Sequence, residues 1–458
     1  AKYLTSAHNK FAISNFVNFE IEAISKYIPD FHLKKINELK LSGNVSSRVN
    51  LVGQLNSQYF PENIEFKVIN NLRNININYQ PHHLALTGLN VESLAKGKYD
   101  KKKGIYLPVF ELNGDFSNIK YSDQINMEEN KYSFETKNIG PFNFKNLAGI
   151  NINISGKVKS KLAESYPRQI KLNKLKMNLV FSAITSKEKL LSKIKLAGEI
   201  FTKNFQVGNK LFSDNAKLAF NVDSPSIHFD NPKIDLNLSS HRLSIYYKNQ
   251  AGFKNNVTAH LLLLPDAQKK SIVIRDMNID ALPLFRASLH EGKFNFEKNF
   301  NIQDLKIFLD MKQFWENIPH SYHNKIPVQN LIGSIHISTS AKGIVPSKVN
   351  INEFDFPFKF NSNLNIDKMS LELKQHNLKI NNLNSRTNIN NTVSRVINLS
   401  GTTSIGSMAN DFRSILPKLS DIYFHYDYSF RDLNTLSINK SIFKIDDGAI
   451  SHSLEGLI

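Results

Sequence analysis

The 458-residue chain has no cysteine. That excludes disulfides, thiolate metal sites and a catalytic thiol, and it fits a bacterial envelope or extracellular protein. No segment holds the ~18 consecutive apolar residues that a transmembrane helix requires. The opening Ala1-Lys-Tyr-Leu-Thr-Ser lacks both an initiator Met and the apolar core of a signal peptide. Ala1 therefore reads as the start of a mature form or an excised piece, with any anchor removed. Acidic residues are in short supply: Lys+Arg number 58 and Asp+Glu 40, a formal net charge of +18. This balance suits anionic partners such as lipid headgroups, acidic glycans or nucleic acid. It equally suits a solvated surface in a Lys- and Asn-heavy proteome. Hydrophobic residues make up 41%, enough to rule out a disordered chain and too few for a membrane-spanning bundle.

Motifs that carry chemistry are also missing. The sequence has neither phosphate-binding glycine loop, no H-E-x-x-H and no G-x-S-x-G elbow. Carboxylates stand singly between apolar positions, an arrangement that does not point to a paired-carboxylate glycosidase. His320-Ser-Tyr-His323 and His82-His83 have metal-like spacing but no third or fourth ligand in view, so both read as surface turns and no metal or cofactor is expected. The only tryptophan, Trp315, reads as core packing at a sheet end. No nucleic-acid reader motif is present.

What the chain has in quantity is alternation. In Asp421-Ile-Tyr-Phe-His-Tyr-Asp-Tyr-Ser-Phe430, Ile422, Phe424, Tyr426, Tyr428 and Phe430 occupy every second position, which places them on one face of a strand. The same period recurs in 49–55, 64–68, 75–79, 150–154, 234–238, 272–274, 294–296, 335–337, 354–360, 364–366, 371–373 and 442–445. These are half-buried strands with one polar face. Asn113-Gly114 and Asp447-Gly448 read as hairpin turns. Leu147-Ala-Gly149, Leu196-Ala-Gly198, Leu331-Ile-Gly333 and Leu399-Ser-Gly401 form a weak, unevenly spaced repeat that opens or closes strands. Helical period is rarer. Ile13, Phe16, Val17, Ile24, Tyr27 and Ile28 predict an amphipathic helix stopped by Pro29, and Met311–Ile318 predicts a short one. Residues 410–416 read the same way, and 186–194 read as a short helix or as the lead into a strand. Residues 161–210 carry 11 Lys+Arg against 3 Glu. Their lysines alternate with Leu and Ile, and read either as a solvated face that protects a sheet edge or as a contact for anionic headgroups.

The strand grammar resembles that of the AsmA-like family of Gram-negative envelope proteins, which includes TamB-like proteins. The passages that carry the likeness are His83-Leu-Ala-Leu-Thr-Gly-Leu-Asn-Val-Glu-Ser-Leu94, Ser271–Pro283 and Leu371–Leu383, where short alternating strands lead into one another about a Gly or Asn turn. The resemblance covers most of residues 40–458. It implies a long, bent sheet forming a taco-like groove with an apolar interior, anchored at the inner membrane by an N-terminal helix, and a role in phospholipid transport towards the outer membrane.

The expected architecture is thus mainly β: a long, twisted antiparallel sheet curled into an elongated groove, with a few short capping helices. Residues 1–38 form a capping-helix region, 39–310 a first groove section and 311–458 a second one continuous with it, the boundary set where Trp315, Pro319 and Pro327 interrupt the strands. A long apolar face needs a partner sheet, a closed barrel or lipid. The first reading is a non-enzymatic periplasmic protein, tethered to the inner membrane, that holds phospholipid acyl chains and meets the inner and outer membrane surfaces or envelope proteins, not nucleic acid. Candidate groove residues are Ile75, Ile77, Ile150, Ile152, Phe354, Phe356, Phe358, Tyr426 and Tyr428. The alternatives are a structural or adhesive β-rich envelope protein without lipid, and a β-rich enzyme acting on polysaccharide.

Overall fold

The computed structural model describes residues 4–5, 10–24, 39–56, 58, 60–122, 124–142, 150–166, 168–185, 191–229, 231–247, 250–318, 323, 325–345, 356–373, 378–391, 396–410, 419–430, 435–445 and 450–457. Its strands are β1 (Leu4–Thr5), β2 (Lys10–Glu20), β3 (Leu39–Leu55), β4 (Pro61–Tyr79), β5 (Leu84–Asp100), β6 (Gly104–Tyr121), β7 (Ile125–Phe142), β8 (Asn151–Ser165), β9 (Ile170–Ile184), β10 (Ser192–Val207), β11 (Leu211–Ser226) and β12 (Lys233–Tyr247). They continue as β13 (Gln250–Asp266), β14 (Ser271–Ala281), β15 (Phe285–Asn295), β16 (Asn299–Asp310), β17 (Val328–Ile344), β18 (Phe358–Leu373), β19 (Leu378–Asn390), β20 (Ile397–Asn410), β21 (Leu419–Phe430), β22 (Leu436–Ile445) and β23 (Ile450–Leu457). The helices are α1 (Ile21–Ile24) and α2 (Met311–Asn317).

The 23 strands among the described residues are assigned to one sheet. The alternating, β-branched and aromatic composition drives this outcome: each strand has one apolar face to bury and one polar face for water. The chain divides into two compact units, Ala1–Ile234 and Asp235–Ile458. In the first, β1 to β11 pair antiparallel with their chain neighbours. In the second, β13 to β23 do the same. The interruption at 311–330 lies inside the second unit, where α2 follows β16. Asp310 caps α2 by accepting from the Gln313 N–H at 2.9 Å, and the helix packs on β13, β16 and β17.

The structure corrects three expectations about local elements. Residues 10–20 are strand, not helix. Phe11, Ile13, Val17 and Phe19 also satisfy a period of two, and β-branched and aromatic side chains favour it. Pairing with β3 from Lys10↔Gln54 to Glu20↔Asn44 then decides the matter. Among the described residues of this stretch, Ile21–Ile24 are helical, while Tyr27 and Ile28 lie outside the described residues. Asn113-Gly114 is no turn but the middle of β6, opposite Ser133 and Tyr132; Asp447-Gly448 lies outside the described residues. The Leu-x-Gly triplets at 196–198, 331–333 and 399–401 sit within β10, β17 and β20, and 147–149 is outside the described residues, as are 186–190 and 411–416. From Ser192 the chain is strand, so the lead into β10 is what 192–194 forms.

Left-handed bulges punctuate the ladder. Asn74, Glu129, Lys174, Asn204, Arg242, Asp276, Asp304, Lys368 and Asn382 lie inside strands with φ between 48° and 55°. All are polar, and several occur where the register shifts. A bulge frees main-chain groups from the ladder, and side chains of neighbouring strands take them up. The N–H of Asn74 donates to Asn90 Oδ1 at 3.0 Å, that of Arg242 to Asn256 Oδ1 at 3.0 Å, and that of Lys368 to Asn384 Oδ1 at 2.9 Å. The N–H groups of Asp304 and Asn382 donate to Ser340 Oγ and Ser370 Oγ. Freed carbonyls meet buried hydroxyls: Ser160 Oγ donates to Glu128 O and Thr202 Oγ1 to Asn173 O at 2.9 Å. Replacing Thr202 by Val keeps the branched shape but strands a buried carbonyl. Equilibrium denaturation is expected to show a loss of about 1–3 kcal/mol, and an unchanged midpoint would contradict this role.

Candidate functional site

Residues directly opposite in a ladder share a face, so the pairing traces each apolar face strand by strand. In the first unit one row runs Val49, Val68, Ala95, Phe110, Thr136, Ile154, Phe181, Leu196, Val222. In the second, Ala259, Ile279, Ala287, Ile307, Ile337, Leu364, Thr387, Gly401 and Tyr426 form another. Most side chains of both rows are half-exposed, and only Thr136, Ala287, Thr387 and Tyr426 among them are buried.

The candidate residues fall on these faces. Ile75, 4% exposed, is opposite Leu89, and Ile77 is opposite Leu86. Ile150 is buried just before β8, in phase with Ile152, which faces Ala183. Phe358 stands opposite Gly343, and its ring lies 5.8 Å from Phe300, 5.5 Å from Phe356 and 6.1 Å from Phe360. Tyr426 and Tyr428 stack at 5.8 Å, beside Phe424. The structure thus brings Phe356 and Phe358 into one aromatic cluster and Tyr426 and Tyr428 into another. The two isoleucine pairs lie on separate strands of the first unit. Phe354 is outside the described residues.

Sequence reasoning missed the partners of the rings. Phe11 is opposite Gly53, Phe66 opposite Gly97, Phe134 opposite Gly156, and Phe220 opposite Gly198. A Cβ on Gly97 would stand 2.3 Å from Phe66 Cζ, and one on Gly156 2.5 Å from Phe134 Cδ1. Each ring therefore folds down over the glycine of the next strand, and the apolar face is floored with aromatic planes. Tyr426 over Gly401 repeats the device in the second unit. A glycine in phase with the apolar set and opposite an aromatic was the available signal. Gly97→Ala should evict the Phe66 ring and cost about 1–3 kcal/mol; adding Phe66→Leu should restore part of the loss in the same unfolding experiment, and strict additivity would refute the contact.

The faces are not uniformly apolar. Around Tyr426, Ser385 and Thr387 are buried, with Ser385 Oγ 2.9 Å from Thr403 Oγ1 and Thr387 Oγ1 bonded to the Tyr426 hydroxyl. Asn130, 1% exposed, has no hydrogen-bond partner for Nδ2 or Oδ1. Burial raises the Tyr132 phenol above its ordinary range.

Charge is not confined to the polar faces: Glu164 is in phase with Ile154, Val158 and Leu162 along β8, while Lys161 is on the opposite face. The hydrogen bond from Lys171 holds the Glu164 carboxyl below the usual range, and Glu129 holds the Lys161 amine above its own. Glu164 has a lowered folded-state pKa, so its contribution is full above the ordinary glutamate range and disappears as pH falls through the folded value. In an acid titration of stability, wild type should exceed Glu164→Gln by roughly 0.2–1 kcal/mol near neutrality and converge with it at low pH; a constant gap would refute the assignment.

The histidine pairs form no ligand set. His323 stacks on Trp315 at 4.5 Å and 8°, and its Nε2 is 3.0 Å from Trp315 O, so Trp315 is half-buried against an imidazole beside α2. His320 is outside the described residues. His82 and His83 sit at the turn between β4 and β5, with His82 5.1 Å from the Tyr79 ring. Among the described residues no three His, Cys, Asp or Glu side chains converge as metal ligands, and no helix is long and apolar enough to cross a membrane. No family model, curated protein or solved structure matches the chain.

Proposed function

We propose that this protein is a non-enzymatic lipid-binding or lipid-transport protein of the bacterial envelope, of the AsmA-like kind, which holds phospholipid acyl chains against the apolar faces of its sheet. The observation that carries the reading is the pair of long apolar rows, one in each unit, whose side chains stay largely half-exposed. Such a face is costly in water, and acyl chains would cover it at a gain of roughly 0.8 kcal/mol per buried CH₂. The lining suits acyl chains, because aliphatic rows and flattened rings give contact without direction and let a chain slide along them. On this reading the protein works in the periplasm, tethered to the inner membrane, between the inner and outer membrane surfaces, with phospholipid as cargo and no cofactor.

Native mass spectrometry of protein isolated without detergent tests the proposal. Co-purified phospholipid is expected, and its absence would refute it. Phe356→Asp with Phe358→Asp should abolish lipid loading while circular dichroism stays β-rich. If the two changes unfold the protein instead, the rings belong to a closed protein core, and a structural or adhesive role takes precedence.

A further inference from the structure

The polar face of the first unit holds an unbalanced row of charge. Lys131 in β7 is directly opposite Lys159 in β8, which is directly opposite Lys176 in β9. Like charges facing each other across a ladder destabilise a sheet. Protection of an edge does not account for them, because β7, β8 and β9 are each paired on both sides. Acidic neighbours offset the row only in part: Asp115 stands directly opposite Lys131 and accepts from Asn90 Nδ2 at 2.8 Å, and Glu129 is bonded to Lys161. Among the described residues Lys131, Lys159, Lys174 and Lys176 make no ion pair within 4.0 Å. A cleft of about 550 Å³ opens among Asp115, Lys131, Lys159, Lys161, Lys174 and Lys176.

We infer that this cleft binds a multiply charged phosphate group. Strands lie about 4.8 Å apart, so three lysines in a row span about 10 Å, the scale of a bisphosphate or pyrophosphate rather than of a single carboxylate. Lysine ammonium groups on flexible stems suit phosphate oxygens as point charges without demanding a planar partner. The left-handed bulge at Lys174 adds a fourth amine beside the row. The site stands on the face opposite the aromatic floor and does not depend on lipid filling the latter. The phosphate can belong to a lipid headgroup or to a soluble phosphorylated molecule, and two probes separate these sources.

Titration calorimetry with inorganic pyrophosphate is the first probe; co-sedimentation with vesicles of phosphatidylcholine and phosphatidic acid, against phosphatidylcholine alone, is the second. Wild type should bind one or both saturably, more weakly as salt is raised. Pyrophosphate binding assigns a soluble ligand or an exposed phosphate ester, and binding to the acidic vesicles alone assigns a headgroup at a surface. Lys159→Gln should weaken binding about tenfold, one charged hydrogen bond's worth, while raising the unfolding temperature of the free protein. Lys210→Gln, in the turn between β10 and β11, should leave binding unchanged. If Lys159→Gln does not fold, Lys176→Gln reads the same row. Failure of wild type to bind either probe, or wild-type affinity in the row variants, overturns the inference.

Discussion

Cross-strand register is the constraint on which everything else in this protein depends. A slip of one residue would move every side chain of a strand to the opposite face. The aliphatic rows, the rings over glycines and the lysine row all exist only because pairing holds each strand in phase. The register is held locally. Chain neighbours pair antiparallel, and the glycine beneath a ring admits only one alignment: Phe66 fits over Gly97 and would collide with a side chain at Ala95 or Tyr99 if displaced by two.

Bulges modulate that register. A left-handed residue inserts one extra position and increases local twist, which keeps long strands from lying flat. Their cost is a set of unpaired main-chain groups, and the chain meets it with short polar side chains on the adjoining strand. Asn90, Asn256 and Asn384 receive bulge N–H groups, and Ser160 and Thr202 satisfy the carbonyls of Glu128 and Asn173. Part of the asparagine and serine content thus has a structural cause, independent of base composition.

The alternation in 421–430 and its counterparts made the fold class and the apolar sets legible, because a period of two survives in any strand that buries one face. Ile75, Ile77, Ile150, Ile152, Phe356, Phe358, Tyr426 and Tyr428 all belong to such sets. The rest was hidden for identifiable reasons. Residues 10–20 satisfy two periods at once, and only the partner strand β3 selects between them. Gly114 looked like a turn because Asn-Gly usually is one, yet its role is to admit the Tyr132 ring. The lysines at 159 and 176 alternate in sequence like any solvated face, and their mutual opposition appears only when β8 and β9 are aligned.

Site-specific photocrosslinking reads the two faces separately and so tests the central claim most directly. Benzoylphenylalanine placed at Ile154 or Ile337, on the apolar rows, should crosslink to phospholipid in cells. The same probe at Asn153 or His336, one residue away on the polar face, should not. Equal lipid crosslinking from both faces, or none from the apolar positions in folded protein, would contradict the account.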